Sequence, residues 1–388
     1  MRIPDLDKIL TAMLQTYSGI SDLNFSVGHP LQVEDWGELK PVLVDPPIER
    51  LTPYQTEQIA LTLIQGNRRL IYDYLTSGSC DCSYSLEGIA RFRVNIFRQQ
   101  GHFSIVLRKL QSDVPTIESL QLPEIFHEVA QEKTGLILVT GATGSGKTTT
   151  LAGLLNEINE TQPVHIVTLE DPIEFVHPKR KATFNQRELG QDFNNYPTGL
   201  RSALRQAPKV ILVGEMRDRA TVEIALMAAE TGHLVLSTLH TVDAGQSINR
   251  MLGLFSLGEE KQLRIRLADT LRYIISQRLA PKVGGGRHLL TEIMGNNLRT
   301  KETVSLGEGE HRSFYEIIEA SSPFGWMTFD QSILNAYEQG SITEETARLF
   351  ASRKGRIARG IDLIQKMRGV DSDLDSGLRL DIPENAFQ

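Results

Sequence analysis

Residues Gly141–Thr148 read GATGSGKT, a complete GxxxxGK[ST] phosphate-binding loop. The loop follows Leu136–Thr140, a short apolar run typical of a buried strand, and apolar residues at helical spacing come after it. This order directs backbone N–H groups and a helix N-terminus at phosphate oxygens, with Lys147 reaching the β- and γ-phosphates and the Thr148 hydroxyl holding Mg²⁺. The predicted nucleotide contacts are Gly141, Ala142, Thr143, Gly144, Ser145, Gly146, Lys147, Thr148 and Thr149. We interpret the loop as a binding site for a nucleoside triphosphate, because a purely structural turn needs neither the lysine nor the threonine.

The overall composition is ordinary for a soluble protein. The 388 residues are enough for two or three domains, each with its own core. No apolar run approaches the roughly 20 residues that cross a bilayer. The first ten residues, MRIPDLDKIL, have no apolar region of the signal-peptide type, so we predict a cytoplasmic protein. The net charge of −7 argues mildly against a nucleic-acid motor, because a surface that follows phosphates usually gives a basic excess.

The sequence contains two cysteines, Cys80 and Cys82, separated by one residue. This spacing is poor for a disulfide, and the chain has no second pair to complete a zinc site. We interpret both as small structural residues.

The chain divides into regions of different pattern. The predicted regions are a mixed α/β domain (1–110), a linker (111–124), a domain that contains the phosphate loop (125–369) and a disordered acidic tail (370–388). In the first domain, Thr52–Gln55 is a helix start, with a capping threonine, a proline and a glutamine at the third helical position. Ile89–Phe97 alternates as a strand. One face of this strand carries Phe92, Val94 and Ile96, and the other carries Arg91, Arg93 and Asn95.

From about residue 125 the pattern alternates between strands and helices. Val164–Leu169, Val210–Val213 and Leu234–Thr238 are runs rich in β-forming residues, separated by helical stretches. This alternation is typical of a largely parallel sheet covered by helices. From about residue 258 onward the pattern is mostly helical, interrupted by a loop at Gly284–Gly286.

Two of these strands end in acidic residues. Val210–Val213 leads to Glu215, which fits a Walker B element, and Glu170 and Asp171 follow Val164–Leu169. The carboxyl ends of parallel strands meet beside the phosphate loop, where hydrolysis needs an acid near the metal and a carboxylate that orients water. We predict Glu170 as the water activator and Glu215 in or near the metal shell with Thr148 and Asp171. The two glutamates can exchange roles, because sequence order does not decide which lies nearer the γ-phosphate.

Two histidines, His233 and His240, bracket the run Leu234–Leu239. An imidazole at the strand end can sense the γ-phosphate or link it to the next subunit. The alternative is a histidine that only satisfies a local hydrogen bond.

Four segments together resemble the secretion-superfamily ATPases, and within them the type IV pilus retraction (twitching motility) ATPases of the PilT/PilU type. One is the phosphate loop. The others are Thr168–Phe175 (TLEDPIEF), similar to the acidic "Asp box"; Ile211–Asp218 (ILVGEMRD), similar to the Walker B box; and Thr231–His240 (TGHLVLSTLH), similar to the "His box". The match runs over roughly residues 20–350. Ser21–Leu23, with Gly28 and Pro30, resembles the opening of the family's PAS-like domain, although Asn24 stands where the family usually has a histidine.

The resemblance implies an α/β architecture: a PAS-like domain at 1–110 and a RecA-like P-loop motor domain with a helical C-terminal region at 125–369. It also implies a homohexameric ring with nucleotide at a subunit or domain interface. In such rings an arginine of the N-terminal domain reaches the phosphates. Arg91 and Arg93 match the family's RFRVN segment and are the candidates, with Arg108 less well matched. An arginine supplied across an interface would couple hydrolysis to ring closure.

Two departures from the family bear on the direction of the motor. The pilus-assembly and type II secretion relatives usually carry a four-cysteine zinc element, and this chain has no cysteine after Cys82, which favours retraction. The retraction ATPases carry an AIRNLIRE-like helix where this chain reads GNNLRTKETV at Gly295–Val304. The later Met327–Gln331 is closer to the accessory type, so a second retraction ATPase is an expected companion.

We therefore predict an ATPase at the cytoplasmic face of the inner membrane that acts on a pilus platform protein and powers retraction. A pilus-assembly or type II secretion ATPase is the alternative within the superfamily. Alternatives of other classes are a nucleic-acid-translocating ATPase, which nucleic acid would stimulate, and a regulatory ring that barely hydrolyses ATP. The predicted cofactors are ATP and Mg²⁺, and no nucleic-acid partner is expected.

Overall fold

The computed structural model describes residues 2–45, 47–111, 113–309 and 312–368. The predicted acidic tail, 370–388, lies outside the described residues. The chain forms two compact units. Unit 1 comprises Met1–Leu136 and Thr148–Thr238, and unit 2 comprises Ile137–Lys147 and Leu239–Gln388.

Helices and strands alternate along most of the described chain. The helices are α1 (Ile3–Thr16), α2 (Pro53–Ile64), α3 (Arg68–Ser77), α4 (Ile125–Gln131), α5 (Lys147–Thr161), α6 (Tyr196–Ala203), α7 (Arg219–Glu230), α8 (Ala244–Leu252), α9 (Leu257–Thr270), α10 (Leu298–Leu306), α11 (Phe314–Ala320), α12 (Phe329–Glu338), α13 (Glu344–Phe350) and α14 (Lys354–Met367). The strands are β1 (Ile20–Phe25), β2 (Gln32–Asp35), β3 (Glu38–Pro41), β4 (Ser79–Leu86), β5 (Ala90–Gln99), β6 (His102–Lys109), β7 (Gly135–Thr140), β8 (His165–Glu170), β9 (Thr183–Glu188), β10 (Val210–Val213), β11 (Leu234–Leu239), β12 (Leu271–Pro281) and β13 (Arg287–Met294).

The N-terminal part of unit 1 is an antiparallel sheet with strand order β3-β2-β1-β6-β5-β4. Its core combines one face of the sheet with apolar residues of α1, α2 and α3. The predicted alternation in β5 is confirmed: Phe92, Val94 and Ile96 are buried, while Arg91, Arg93 and Asn95 share the other face. The predicted helix start is also confirmed, because the Thr52 side chain accepts from the Gln55 N–H and the Gln55 side chain caps Thr52 in return.

The remaining strands have the order β11-β10-β8-β9 in unit 1 and β13-β12-β7 in unit 2. In unit 1, β9, β8, β10 and β11 are consecutive parallel strands, and the four residues of β10 are all buried. Parallel strands buried on both faces explain the continuous apolar runs in the sequence. The α/β fold class predicted from those runs is confirmed.

The C-terminal part of unit 2 contains a β-hairpin that the sequence analysis missed. The helical prediction from about residue 258 onward holds for α9 to α14, but β12 and β13 pair antiparallel around Gly284–Gly286, whose positive φ angles form the turn. α9 ends at Thr270 and β12 begins at Leu271, with neither glycine nor proline between them. The local pattern therefore shows no boundary, and pairing with β13 decides the strand. Apolar residues of the hairpin, α12, α13 and α14 form a core of this unit.

None of the helices in the described part of the chain is both long and apolar enough to cross a membrane.

Candidate nucleotide site

The phosphate loop of unit 2 begins where β7 ends. The Gly141 N–H donates to the Leu239 carbonyl at 3.3 Å, which ties the start of the loop to the end of β11. A Cβ at Gly141 would meet the Gln277 carbonyl oxygen and the Ser145 Oγ, each at 2.5 Å, so a larger residue does not fit here. The buried Ser145 hydroxyl has no hydrogen-bond partner among the described residues. A tight glycine loop around an unsatisfied buried hydroxyl fits a bound phosphate.

Lys147 is the seventh residue of the loop and the first residue of α5. Its side chain is buried, and Nζ donates to the Gly141 and Ala142 carbonyls at 2.8 and 2.9 Å. These bonds hold the ammonium group over the loop, at a helix N-terminus where anions are favoured.

Thr148 begins the part of α5 that belongs to unit 1, and Glu174 lies near it. Burial raises the pKa of Glu174, and the interaction with the Thr148 hydroxyl and the Arg93 charge oppose the rise. Glu174 lies four residues beyond the end of β8, and this position gives no sign in the sequence that it comes near Thr148. Its place within the TLEDPIEF segment was the available signal.

Glu170 ends β8 and is 8% exposed. Its Oε1 accepts from the Thr168 hydroxyl at 2.6 Å and from Gln186 Nε2 at 3.2 Å. Burial raises the pKa of Glu170 to about 6, although both hydrogen bonds favour the charged form. A carboxyl group in this range can take a proton from water at neutral pH, as a general base must.

This pKa predicts that the rate of hydrolysis falls at acidic pH, which gives the kcat–pH profile an acidic limb. As pH falls through about 6, Glu170 becomes protonated, and kcat should fall by about tenfold per pH unit below that point. Thr168→Val removes a hydrogen bond that favours the charged form, so the limb should move to higher pH. A kcat–pH profile measures this, with Glu160→Gln as control because Glu160 is half-exposed and pairs with Arg180. If the acidic limb of Thr168→Val lies at the same pH as that of the wild type, the limb reports the titration of another group.

Glu215 lies two residues beyond β10, beside the end of β8. The Gly214 N–H donates to the Leu169 carbonyl at 2.8 Å, which aligns the two acidic strand ends. The Glu215 carboxylate pairs with Arg217. Asp171 is exposed, and its charged surroundings are Arg93, Arg217 and Glu215. Unit 1 thus places the three predicted acids at one end of its parallel strands.

The two predicted histidines lie at opposite ends of β11. The His233 carbonyl accepts from the Gly135 N–H at the start of β7, and Nδ1 contacts the Ala228 carbonyl at 3.0 Å. His233 therefore lies at the amino end of the strand, about 20 Å from its carboxyl end. His240 directly follows Leu239, whose carbonyl contacts the first loop glycine. Only His240 is at the end of β11 where the loop begins.

The three candidate arginines have different surroundings in unit 1. Arg91 is mostly buried and donates to the Ile173 carbonyl at 2.9 Å. Arg93 is exposed, and its charge favours the ionised forms of Asp171 and Glu174. Arg108 pairs with Asp22 at 2.9 Å. Arg91 and Arg93 thus lie near the acids of the same chain.

Cys80 and Cys82 lie on β4 as free thiols. Burial raises the pKa of Cys80 to about 11 and that of Cys82 to about 12. Thiols with such pKa values are unreactive, as expected of structural residues.

Sequence and structure comparisons identify relatives of the whole chain. The pattern of the family described as type II/IV secretion system protein matches residues 83–319. The chain belongs to this family. The type IV pilus retraction ATPase PilT of Pseudomonas aeruginosa is 39% identical over 330 residues, 85% of this chain and 94% of PilT. The type IV pilus ATPase PilU of the same organism is 35% identical over 388 residues, 98% of each chain.

A solved member of the family matches in three dimensions. The crystal structure of the pilus retraction motor PilT with bound ADP has a TM-score of 0.80 at 39% identity, covering 92% of this chain and 99% of that one. The similarities confirm the predicted resemblance to the pilus retraction ATPases, the fold class and the ATPase activity. This chain is thus a nucleotide-binding enzyme.

Proposed function

We propose that this chain hydrolyses ATP to power retraction of a type IV pilus and twitching motility. The observation that carries the enzymatic part is the acidic site of unit 1, where the buried Glu170 accepts from Thr168 and Gln186 and has a pKa of about 6. Similarity to PilT and PilU along most of the chain supports the link to the pilus.

The loop and the acids divide the chemistry between them. The loop N–H groups and Lys147 bind the phosphates, with the Ser145 hydroxyl available for a further hydrogen bond. Mg²⁺, when bound, neutralises charge on the β- and γ-phosphates. Thr148 would hold it, and Glu215, Asp171 and Glu174 are the acids available to its water shell.

Glu170 is the proposed general base. Its carboxylate is held by Thr168 and Gln186, and its raised pKa suits proton removal from the attacking water. The Glu215 carboxylate, by contrast, is already paired with Arg217. We therefore assign water activation to Glu170, and charge balance near the metal to Glu215. His240 is the proposed γ-phosphate sensor.

The larger assembly is proposed from the family. We propose a homohexamer in which Arg93 approaches the phosphates as the ring closes. The ring would work at the cytoplasmic face of the inner membrane, on a platform protein of the pilus machinery. A second retraction ATPase is a proposed companion.

Deletion of the gene tests the direction of the motor. Loss of the protein should reduce twitching and retraction force, and surface pili should remain or increase in number, because removal of a retraction motor leaves assembly running. Pilus counts by electron microscopy and twitching zones measure both. The wild-type gene should restore motility, and a Lys147→Ala gene should not. A strain that lacks pili altogether would identify an extension motor instead.

A further inference from the structure

Glu188, at the end of the edge strand β9, is a buried acid without a role in the chemistry above. It is 4% exposed, and both of its carboxylate oxygens accept hydrogen bonds. Oε1 accepts from the Ser83 hydroxyl of β4 at 2.7 Å and from Gln191 Nε2 at 2.8 Å. Oε2 accepts from the Ile173 N–H at 3.2 Å and lies 3.5 Å from Arg91 Nη2. A carboxylate this deeply buried requires such partners.

Glu188 and Arg91 form an ion pair, and together they hydrogen-bond both polar groups of the Ile173 backbone. Its N–H donates to Glu188, and its carbonyl accepts from Arg91 Nη1 at 2.9 Å. Arg91 is itself oriented on the N-terminal sheet by the Ser85 hydroxyl, which accepts from Nε at 3.2 Å. Glu188 and Arg91 thus bond the two peptide groups on either side of the Ile173 Cα, in the segment that follows β8.

The residue after Ile173 is Glu174, whose ionised form the nearby Thr148 hydroxyl favours. A shift of the Ile173 backbone would move Glu174 relative to Thr148. Hydrogen bonds therefore connect β4 and β5 of the N-terminal sheet to Ile173, the residue directly before the acid that lies near Thr148.

We propose that Glu188 and Arg91 form a clamp on Ile173 that positions Glu174 at Thr148, so that the position of the N-terminal sheet controls the rate of hydrolysis. This inference rests on the proposed ATPase function of the same site. Both residues of the clamp are positioning residues. Arg91 acts within its own subunit, and Arg93, which is exposed, is the arginine available to act on a neighbour.

The clamp predicts a loss of kcat without a loss of ATP affinity. Both carboxylate oxygens of Glu188 accept hydrogen bonds from donor groups. In Glu188→Gln one of these oxygens becomes an NH₂ group, which cannot accept from the donors that it faces. The loop should then shift, and kcat should fall about ten- to a hundredfold, while KM for ATP changes by less than about threefold. Steady-state kinetics measure the two constants separately. Glu160→Gln, at an exposed ion pair of the same unit, is the matched control and should keep wild-type values.

A double-mutant cycle tests whether Glu188 and Arg91 act together. Arg91→Ala/Glu188→Ala should be no slower than the slower single variant, because each change breaks the same clamp. Fully additive losses, or normal kcat in Glu188→Gln, would overturn the proposal. If Glu188→Ala does not fold, as judged by circular dichroism, Glu188→Gln and Arg91→Lys complete the cycle.

Mixed rings test whether Arg91 acts in its own subunit. A Lys147→Ala chain has a dead site but an intact Arg91, so mixing it with Arg91→Ala should not restore turnover if the clamp is internal. Recovered turnover would place Arg91 across an interface and overturn the clamp. If the wild-type protein has no ATPase activity, the proposed function is refuted. If the wild type is active and the Glu188 variants are equally active, only the clamp is refuted.

Discussion

Lys147→Ala is expected to lower kcat for ATP hydrolysis by about a thousandfold or more. The side chain supplies the cation of the loop, and no other residue of GATGSGKT carries a positive charge. In the structure its ammonium group is already held over the loop by the Gly141 and Ala142 carbonyls. Alanine removes both these bonds and the charge that stabilises the transferring phosphoryl group.

Phosphate release and equilibrium binding of a fluorescent ATP analogue would measure this loss. Lys179→Ala is the matched control, because Lys179 is an exposed lysine of unit 1 and should leave both quantities unchanged. Circular dichroism confirms that each variant is folded. Turnover above a tenth of the wild-type value in Lys147→Ala would mean that the loop does not act on the phosphates as proposed.

Glu170→Gln is expected to retain ATP binding and to lower kcat by about 10²- to 10⁴-fold, the range of a lost general base. The amide has the same shape, and its carbonyl can still accept from the Thr168 hydroxyl. It cannot accept a proton from water. ATP should therefore accumulate unhydrolysed on the protein, which a filter-binding assay with labelled ATP detects.

Glu215→Gln separates the roles of the two glutamates. Since Glu215 is already paired with Arg217, its replacement should raise the Mg²⁺ concentration needed for half-maximal rate, and its effect on kcat at saturating Mg²⁺ should be smaller than that of Glu170→Gln. A larger kcat loss in Glu215→Gln would reverse the assignment. Normal turnover in both variants would remove both glutamates from the mechanism.

The sequence alone determined the features that depend on neighbours along the chain. The phosphate loop, the capped start of α2 and the alternation of β5 are each decided within about ten residues, by backbone geometry and by the side-chain period of the element. Order along the chain also placed Glu170 and Glu215 at adjacent strand ends, because parallel strands align their carboxyl ends. The similarity to the retraction ATPases rests on the same local segments.

The tertiary structure decided what depends on contacts between distant segments. The strand β12 follows a helix without a break, and its pairing with neighbouring strands such as β13 makes it a strand. The two histidines looked equivalent in sequence, but the contact of His233 with Gly135 puts it at the end of β11 away from the loop. Glu174 and Glu188 showed no motif of their own. The role of Glu174 comes from Thr148, and that of Glu188 from Ser83 and Arg91, residues that are distant along the chain and meet them only in the folded structure. Glu188 is buried, so its carboxylate needs such partners in place of water.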